Sequence, residues 1–210
     1  MPTSLHELPT WLDVTAMAIA AWFGANAAHH RGVPLVGVVL AGVVSGLAGG
    51  ITRDLLLGLE PAAISLWYYV PAVVAAAIVA GLTARWLSLT PLPFVGVQAF
   101  AIALLIVIGV QKAVAYHTPG PSAILIGVVV GVTGGTIDDL LTQRRATIMS
   151  EGPWLLLVVV AGAAAFWLFT IYVAFWLAVV ITVVLVISLR VGSVHFGWTT
   201  PFFPGRDSSS

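Results

Sequence analysis

Two pairs of charged residues interrupt long apolar stretches of this chain, and each pair follows two adjacent glycines. The residues are Gly49, Gly50, Arg53 and Asp54 in the first stretch and Gly134, Gly135, Asp138 and Asp139 in the second. Adjacent glycines weaken a helix, and charges close to hydrocarbon are energetically costly. Charged residues at such positions therefore usually have a function. Carboxylates beside a helix break would attract cations and repel anions. The pattern therefore predicts a pore or a transport site between two halves of the chain.

The two stretches are copies of one segment. Residues 40–56 and 125–141 agree at ten of seventeen positions when they are aligned at a constant offset of 85. The same offset aligns further glycine, alanine and proline residues outside the segment. These pairs are Gly24 with Gly109, Ala28 with Ala113, and Pro34 with Pro119. The chain is therefore interpreted as two repeats of one unit.

The composition places the chain in a membrane. Of its 210 residues, 60% are hydrophobic and only 8% are charged, and the mean hydropathy is +1.09. Eight basic and eight acidic residues cannot cover the surface of a soluble domain of this size. The formal net charge of zero gives no reason to expect a nucleic-acid partner. The absence of cysteine excludes disulfides and thiolate metal sites.

Seven apolar segments have about the length of roughly 20 residues that a membrane-spanning helix requires. The predicted spans are residues 11–28, 33–57, 67–87, 94–116, 122–141, 154–170 and 172–191. Most arginines then fall on one side of the membrane, which predicts a cytoplasmic C-terminus and an outside N-terminus in a cell membrane. We therefore expect an all-helical, multi-pass integral membrane protein with seven spans.

Each repeat contains three spans, and an odd number of spans inverts the second repeat relative to the first. The predicted parts are an outside segment 1–10, a first repeat 11–91, an inverted second repeat 92–170, a seventh span 171–191 and a cytoplasmic tail 192–210. Two readings of the glycines stay open. Those spaced four apart, such as Gly42 and Gly46, are typical of close helix packing, whereas the adjacent pairs favour a kink or break in spans two and five.

Residues 49–56 resemble the Gly-Gly-Gly-x-x-Arg-Asp-x-Leu signature of the prokaryotic trimeric intracellular cation (TRIC) channels. Residues 109–113 are similar to the Gly-x-Gln-Lys-Ala stretch of their fourth helix, and Leu12-Asp13 is similar to the Leu-Asp that opens their first helix. The resemblance covers about residues 11–190. It implies a homotrimer with one pathway per subunit for potassium and other monovalent cations. Three positions depart from the pattern, namely Ala48, Thr133 and Asp138.

The same domain has also been labelled a glycine transporter, so a secondary transporter of a small solute such as glycine is the alternative function. A purely structural membrane protein is a third hypothesis, but it would not explain the duplicated glycine and charge pairs. No arrangement of catalytic residues or metal ligands is seen, so the chain is not expected to be an enzyme. No cofactor is expected. The groups that would bind are the transported cation, identical subunits and membrane lipid.

The charged residues that are expected toward the outer side of the membrane allow two roles each. Arg53 either anchors the helix at the headgroups or lines the outer mouth of a pore. Asp54 either caps or pairs with nearby groups, or contacts an ion directly. Lys112, which is the only lysine, either extends to the headgroups or acts as a gate or counter-ion to Asp54. Asp13 is expected to cap the first helix or to line the pore.

The remaining polar candidates lie in the second repeat and in the first span. Asp138 and Asp139 either concentrate cations at a cytoplasmic mouth, or face water and pair with Arg144 and Arg145. Asn26 and Gln98 are the other polar candidates, and each is expected either to coordinate a hydrated ion or to bond another helix. Because Asp138 stands where arginine is usual, the cytoplasmic mouth should be more negative than is typical.

Overall fold

The computed structural model describes residues 9–84, 91–142 and 154–199. Within these ranges the chain forms eight helices and no extended sheet. The helices are α1 (Thr10–His30), α2 (Leu35–Leu56), α3 (Ala62–Ser65), α4 (Tyr69–Thr83), α5 (Pro91–Ala115), α6 (Gly120–Leu141), α7 (Leu155–Tyr172) and α8 (Phe175–His195). The all-helical class that the sequence predicts is confirmed.

Five of the described helices, α2, α5, α6, α7 and α8, are long and apolar enough to cross a membrane. α1 has 21 residues and α4 is a shorter apolar helix of 15 residues. Each of these seven helices overlaps one predicted span, and the short α3 links α2 to α4. The last two predicted spans form separate helices, α7 and α8, which are joined by Val173 and Ala174 alone.

Helices α2 and α6 begin in the same way because each follows a proline. Pro34 and Pro119 occupy the position before the first helical residue, with φ of −58° and −55°. Proline fixes φ near this value and needs no hydrogen-bonded N–H at a helix start. The two prolines correspond at the offset of 85, so the repeat in sequence starts equivalent helices in the fold.

The two halves of the molecule pack with equivalent contacts. α1 packs against α2 and α4, and α5 packs against α6 and α7. A Cβ added to Gly42 on α2 would lie 2.7 Å from the carbonyl oxygen of Ala21, and a Cβ added to Gly127 on α6 would lie 3.4 Å from that of Ile106. Both members of the second contact follow the first by 85 residues. These glycines therefore allow close helix approach, as their spacing indicates.

Helices α2 and α6 cross at the glycine pairs. A Cβ on Gly49 would lie 3.0 Å from the carbonyl oxygen of Val130, and a Cβ on Gly134 would lie 2.7 Å from that of Ser45. The two contacts are again the same contact at the offset of 85. The Ser45 hydroxyl donates to the carbonyl oxygen of Gly134 at 2.9 Å, which fixes the crossing on one side.

The predicted break of the helices at the glycine pairs is not present as an interruption. α2 and α6 each continue as one α-helix through Gly49-Gly50 and through Gly134-Gly135. The cause is that the first glycine of each pair is used for backbone contact between the two helices, which requires no change in helical hydrogen bonding. A bend of either helix at these glycines stays a prediction.

Candidate functional site

Five side chains from four helices form a buried polar network, which we call the Arg53 cluster. Its members are Asp13 on α1, Arg53 and Asp54 on α2, Tyr69 on α4, and Lys112 on α5. Arg53 donates from Nη1 and Nη2 to the two oxygens of Asp13 at 2.8 and 2.9 Å, and from Nε to Oδ1 of Asp54 at 2.8 Å. Lys112 Nζ donates to the same Asp54 oxygen at 2.8 Å, and the Tyr69 hydroxyl donates to Asp13 at 3.0 Å.

The Arg53 cluster is electrically balanced, with two cations against two carboxylates. The side chain of Arg53 is 0% exposed and that of Asp54 is 1% exposed, so neither charge is hydrated in this state. Removing one partner from a buried ion pair is strongly destabilising, because the other charge is left without compensation. Asp54 Oδ2 also accepts from the backbone N–H of Ala62 at 2.9 Å. The cluster therefore joins α1, α2, α4 and α5 at one end of the molecule.

Two expectations about these residues change. Arg53 does not extend to the headgroups, because it is fully buried between Asp13 and Asp54; its other predicted role, at the outer mouth of a pore, stays a prediction. Arg53 also pairs with its neighbour in sequence, because its Nε donates to Asp54 while its terminal nitrogens reach Asp13 on α1. Asp13 does not cap α1, which begins after Pro9.

The expected contact of Lys112 with Asp54 is present, with Nζ and Oδ1 separated by 2.8 Å. Asp54 combines pairing with acceptance of the Ala62 amide, as one of its two predicted roles requires. A gating role for Lys112 is a separate matter and stays a prediction.

A second group of charges lies at the last turn of α6, and we call it the Arg31 cluster. Arg31 Nη1 donates to Asp138 Oδ2 at 2.8 Å and to Thr142 Oγ1 at 2.7 Å, and Nη2 lies 3.7 Å from Asp139 Oδ1. The Arg31 side chain is 22% exposed. The arginines that the sequence suggested as partners, at positions 144 and 145, lie outside the described residues. Arg31 was missed, although it follows α1 on the predicted side of those arginines.

A cavity of about 270 Å³ separates the Arg31 cluster from the crossing of α2 and α6. It is lined by Gly134 and Gly135, and by apolar side chains of α1 and α5. Its polar lining residues are Arg31, Ser45, Gln98, Thr136, Asp138, Asp139 and Arg190. The cavity therefore reaches from a charged mouth to Ser45, at the place where the two repeats cross.

The cavity and the Arg53 cluster occupy places that correspond to each other when the two repeats are exchanged. At the offset of 85, every charged residue of that cluster corresponds to a residue that lines the cavity. The corresponding residues are Gln98 for Asp13, Asp138 for Arg53, Asp139 for Asp54 and Ala27 for Lys112. A short side chain thus replaces a long one at two positions, and the pair that joins Arg53 to Asp13 has no equivalent. This divergence leaves space at one end of the molecule.

The second glycine of each pair shows the same difference. A Cβ added to Gly50 would overlap Cε of Met17 and lie 3.2 Å from its Sδ. A Cβ added to Gly135 would meet nothing within 4 Å, and Gly135 lines the cavity. Met17 is fully buried, so it fills on one side the space that is open on the other.

One face of α1 connects the two ends. Residues spaced alternately by four and three positions share a face of a helix. On α1 these are Asp13, Met17, Ala20, Gly24, Ala27 and Arg31. The last four line the cavity, so the continuation of this face leads past Met17 to Asp13. Met17, which is fully buried, therefore lies between the cavity-lining residues and Asp13 along this face.

The two remaining polar candidates differ in position. Gln98 lines the cavity. Asn26 is 1% exposed and is not among the lining residues, and neither its Oδ1 nor its Nδ2 has a hydrogen-bond partner in the described part of the chain. The sequence could not separate these two cases, since both residues are single polar groups in apolar helices.

Comparison with known proteins agrees with this architecture. The family model described as "Glycine transporter" matches residues 10–84 and 96–171, which are nearly the two repeats. The chain is 26% identical over 203 residues to the UPF0126 inner membrane protein YadS of Escherichia coli (strain K12), covering 92% of this chain and 95% of that protein. It is 28% identical over 211 residues to the UPF0126 membrane protein YvgT of Bacillus subtilis (strain 168), covering 93% and 95%.

Solved structures are similar over nearly the whole chain. The TRIC trimeric intracellular cation channel orthologue from Rhodobacter sphaeroides superposes with a TM-score of 0.82 at 26% identity, over 90% of this chain and 97% of that one. A second structure, described under "Structural basis for conductance through TRIC cation channels", also superposes with a TM-score of 0.82. Its identity to this chain is 20%, over 95% of this chain and 99% of that one. These similar proteins are membrane proteins and channels, which agrees with the expectation that the chain is not an enzyme. Because the family model matches well over half of its length, the chain belongs to the glycine transporter family of multi-pass membrane proteins, with the fold of the TRIC cation channels.

Proposed function

We propose that this protein is a homotrimeric channel of the inner membrane, with one potassium-permeable pathway for monovalent cations in each subunit. The observation that carries the proposal is the cavity beside Gly134 and Gly135, which has the carboxylates of Asp138 and Asp139 at its mouth. The similarity to the R. sphaeroides orthologue, described as a trimeric cation channel, supports the same class of function.

The chemistry of the lining suits a monovalent cation. Carboxylates at the mouth raise the local concentration of cations and repel anions. Farther in, the hydroxyl oxygens of Ser45 and Thr136 and the amide oxygen of Gln98 can replace part of the hydration shell of the ion. The absence of side chains at Gly134 and Gly135 leaves room for the ion between α6 and α1.

The pathway is closed toward the Arg53 cluster in this state. Met17 fills the space beside Gly50, and the ion pairs of Arg53 and Lys112 lie beyond it. Opening requires the N-terminal half of α1, which carries Asp13 and Met17, to separate from α2. In this proposal Lys112 is a gating residue, because its bond to Asp54 holds α5 against α2 only while the end is closed.

The proposal includes the finer architecture expected from the sequence. Seven helices span the membrane, and the two repeats of three spans are inverted about the crossing of α2 and α6. Residues 11–91 and 92–170 form the repeats, and a bend at each glycine pair accompanies opening. The cavity mouth faces the cytoplasm, with the N-terminus outside.

Potassium flux in liposomes tests the function. Purified protein is reconstituted at known density, and flux is followed under an imposed voltage with matched empty liposomes as the control. We expect voltage-driven potassium flux and a trimer by light scattering. Absence of flux in a folded, reconstituted protein would contradict the channel proposal.

Introduced cysteines test the orientation, since the chain has none of its own. Single cysteines at Ser4 and Ser208, both outside the described residues, should react with an impermeant thiol reagent from opposite faces of the membrane. Reaction from the same face would rule out seven spans and the inverted repeat.

A carrier for a small zwitterion such as glycine is the second candidate, and one observation favours it. The cavity is lined by Arg31 and Arg190 as well as by Asp138 and Asp139, so it presents groups that could bind a carboxylate and an ammonium together. Exchange of labelled glycine across the same liposomes distinguishes the two. A carrier exchanges glycine without conducting potassium, whereas a channel conducts potassium whether or not glycine is present.

A further inference from the structure

Arg31 lies at the mouth of the cavity in the place that an entering cation would be expected to take. One nitrogen, Nη1, is within hydrogen-bond distance of both Asp138 Oδ2 and Thr142 Oγ1. A carboxylate and a hydroxyl oxygen that converge on one point are ligands that an alkali cation also accepts. The guanidinium therefore fills a site of two oxygens at the entrance.

We propose that Arg31 is a built-in competitor for cations at this mouth and that it limits their entry into the cavity. The inference rests on the proposed cation pathway and concerns the regulation of entry. While Arg31 is bound, its positive charge repels an entering cation, and its Nη1 occupies Asp138 Oδ2 and Thr142 Oγ1. When it is displaced, this competing cation is removed from those two oxygens.

The exposure of Arg31 makes such displacement feasible. Its side chain is 22% exposed, and its second nitrogen lies 3.7 Å from Asp139, which is beyond a hydrogen bond. Arg31 also follows the last residue of α1 and precedes Gly32, which has a φ of +74°. Arg53 in the other cluster is 0% exposed and is bound by two carboxylates. The Arg31–Asp138 pair is therefore open to water on its cationic side, whereas both partners of the Arg53–Asp54 pair are buried.

The cation at this mouth, Arg31, lies outside the duplicated segments, whereas Arg53 at the other end lies inside one of them. Ala27 corresponds to Lys112, and Asp138 corresponds to Arg53, so neither cation of the Arg53 cluster has an equivalent at this mouth. Arg31 lies one helical turn beyond Ala27, just after the last residue of α1. A cation from the first repeat thus offsets part of the negative charge of Asp138 and Asp139 in the second.

The local potential can be measured without relying on conduction. A single cysteine at Thr136, which lines the cavity, is reacted with a cationic and with an anionic methanethiosulfonate of similar size. The ratio of the two rates reports the charge near position 136, and Arg190 contributes equally in all variants. For a separation of about 8 Å in a water-like dielectric, removing one positive charge should raise the rate of the cationic reagent and lower that of the anionic reagent, each by roughly two- to threefold. The ratio of the cationic to the anionic rate should therefore rise about fivefold.

Arg31→Gln is the test variant, and Arg31→Lys is the matched control that keeps the charge. We expect the ratio to rise about fivefold in Arg31→Gln and to stay within about twofold of the parent in Arg31→Lys. Potassium flux at low ionic strength should rise several-fold in Arg31→Gln and converge with the parent near 1 M salt, where the Debye length is about 3 Å. Arg31→Ser repeats both measurements if Arg31→Gln does not fold.

The outcomes separate the inference from the proposed function. A raised labelling ratio without potassium flux in any variant would refute the channel and retain Arg31 as the residue that sets the charge of the mouth. An unchanged ratio in a folded charge-removing variant would overturn the inference. A raised ratio accompanied by reduced flux would also overturn it, because Arg31 would then support the pathway and not compete within it.

Discussion

The contact between Lys112 and Asp54 gives the sharpest test of how the closed end is held. Lys112→Met removes the cation while keeping a side chain of similar length, and among the described residues Asp54 then retains Arg53 as its one ionic partner. Because the contact joins α5 to α2 in the closed state, its loss should favour opening. We therefore expect a higher open probability in an intact protein.

The size of the effect follows from the geometry. Coulomb's law for unit charges 2.8 Å apart, with an effective dielectric constant of about 20, gives roughly 6 kcal/mol. Desolvation of Asp54 offsets much of this attraction, and coupling energies measured for such pairs are about 0.5–3 kcal/mol. A net coupling of about 1.4 kcal/mol corresponds to a tenfold change in the ratio of open to closed states.

Single-channel recording of a double-mutant cycle isolates this term. Lys112→Met, Asp54→Asn and the double variant are compared with the parent, and Lys112→Arg is the charge-retaining control. If the pair closes the channel, the double variant should be less perturbed than the sum of the two singles. Additive effects would refute a gating contact between the two residues, and an open probability of Lys112→Met equal to that of the parent would leave Lys112 without a gating role.

Three further perturbations test other parts of the molecule. Asp138→Asn combined with Asp139→Asn should lower potassium conductance most at low ionic strength, because screening near 1 M salt removes a surface-charge effect; an equal loss at all salt concentrations would indicate a folding role. Gly135→Leu should block flux in a stable protein, because its Cβ enters open space. Gly134→Leu should instead impair folding, because its Cβ would lie 2.7 Å from the carbonyl oxygen of Ser45. Thermal unfolding in detergent should show a lower melting temperature for Gly134→Leu only. Arg53→Met should destabilise the protein by about 3–5 kcal/mol by leaving Asp13 without its cation, and the double change with Asp13→Asn should recover part of the loss; an unaltered melting temperature would contradict the buried network.

The sequence predicted the helices well because they depend on local and periodic features. Apolar length defines a span in a membrane, and Pro34 and Pro119 mark the starts of α2 and α6 at one offset. The glycines at positions 42 and 127 were correctly expected to allow close packing. These features need no knowledge of which distant residues meet.

The ion pairs could be predicted only where the side of the membrane limited the choice. Lys112 was paired with Asp54 because both were expected near one face, and the contact is present. Arg53 with Asp13 and Arg31 with Asp138 were missed because these contacts depend on how α1 lies against α2 and α6. The span of an arginine side chain, which lets Arg53 reach two carboxylates on different helices, is not visible in residue spacing.

The two ends of the molecule are held with unequal strength, and this difference follows from the way in which the repeats have diverged. At one end, the buried Arg53 cluster joins α1, α2, α4 and α5, and Met17 fills the space beside Gly50. At the other end, the partly exposed Arg31 joins α1 to α6 beside a cavity. Breaking the first set separates Arg53 and Asp54, both of which are buried, whereas breaking the second releases a cation that already reaches water. We therefore expect the Arg53 end to control whether a cation crosses and the Arg31 end to control how readily it enters.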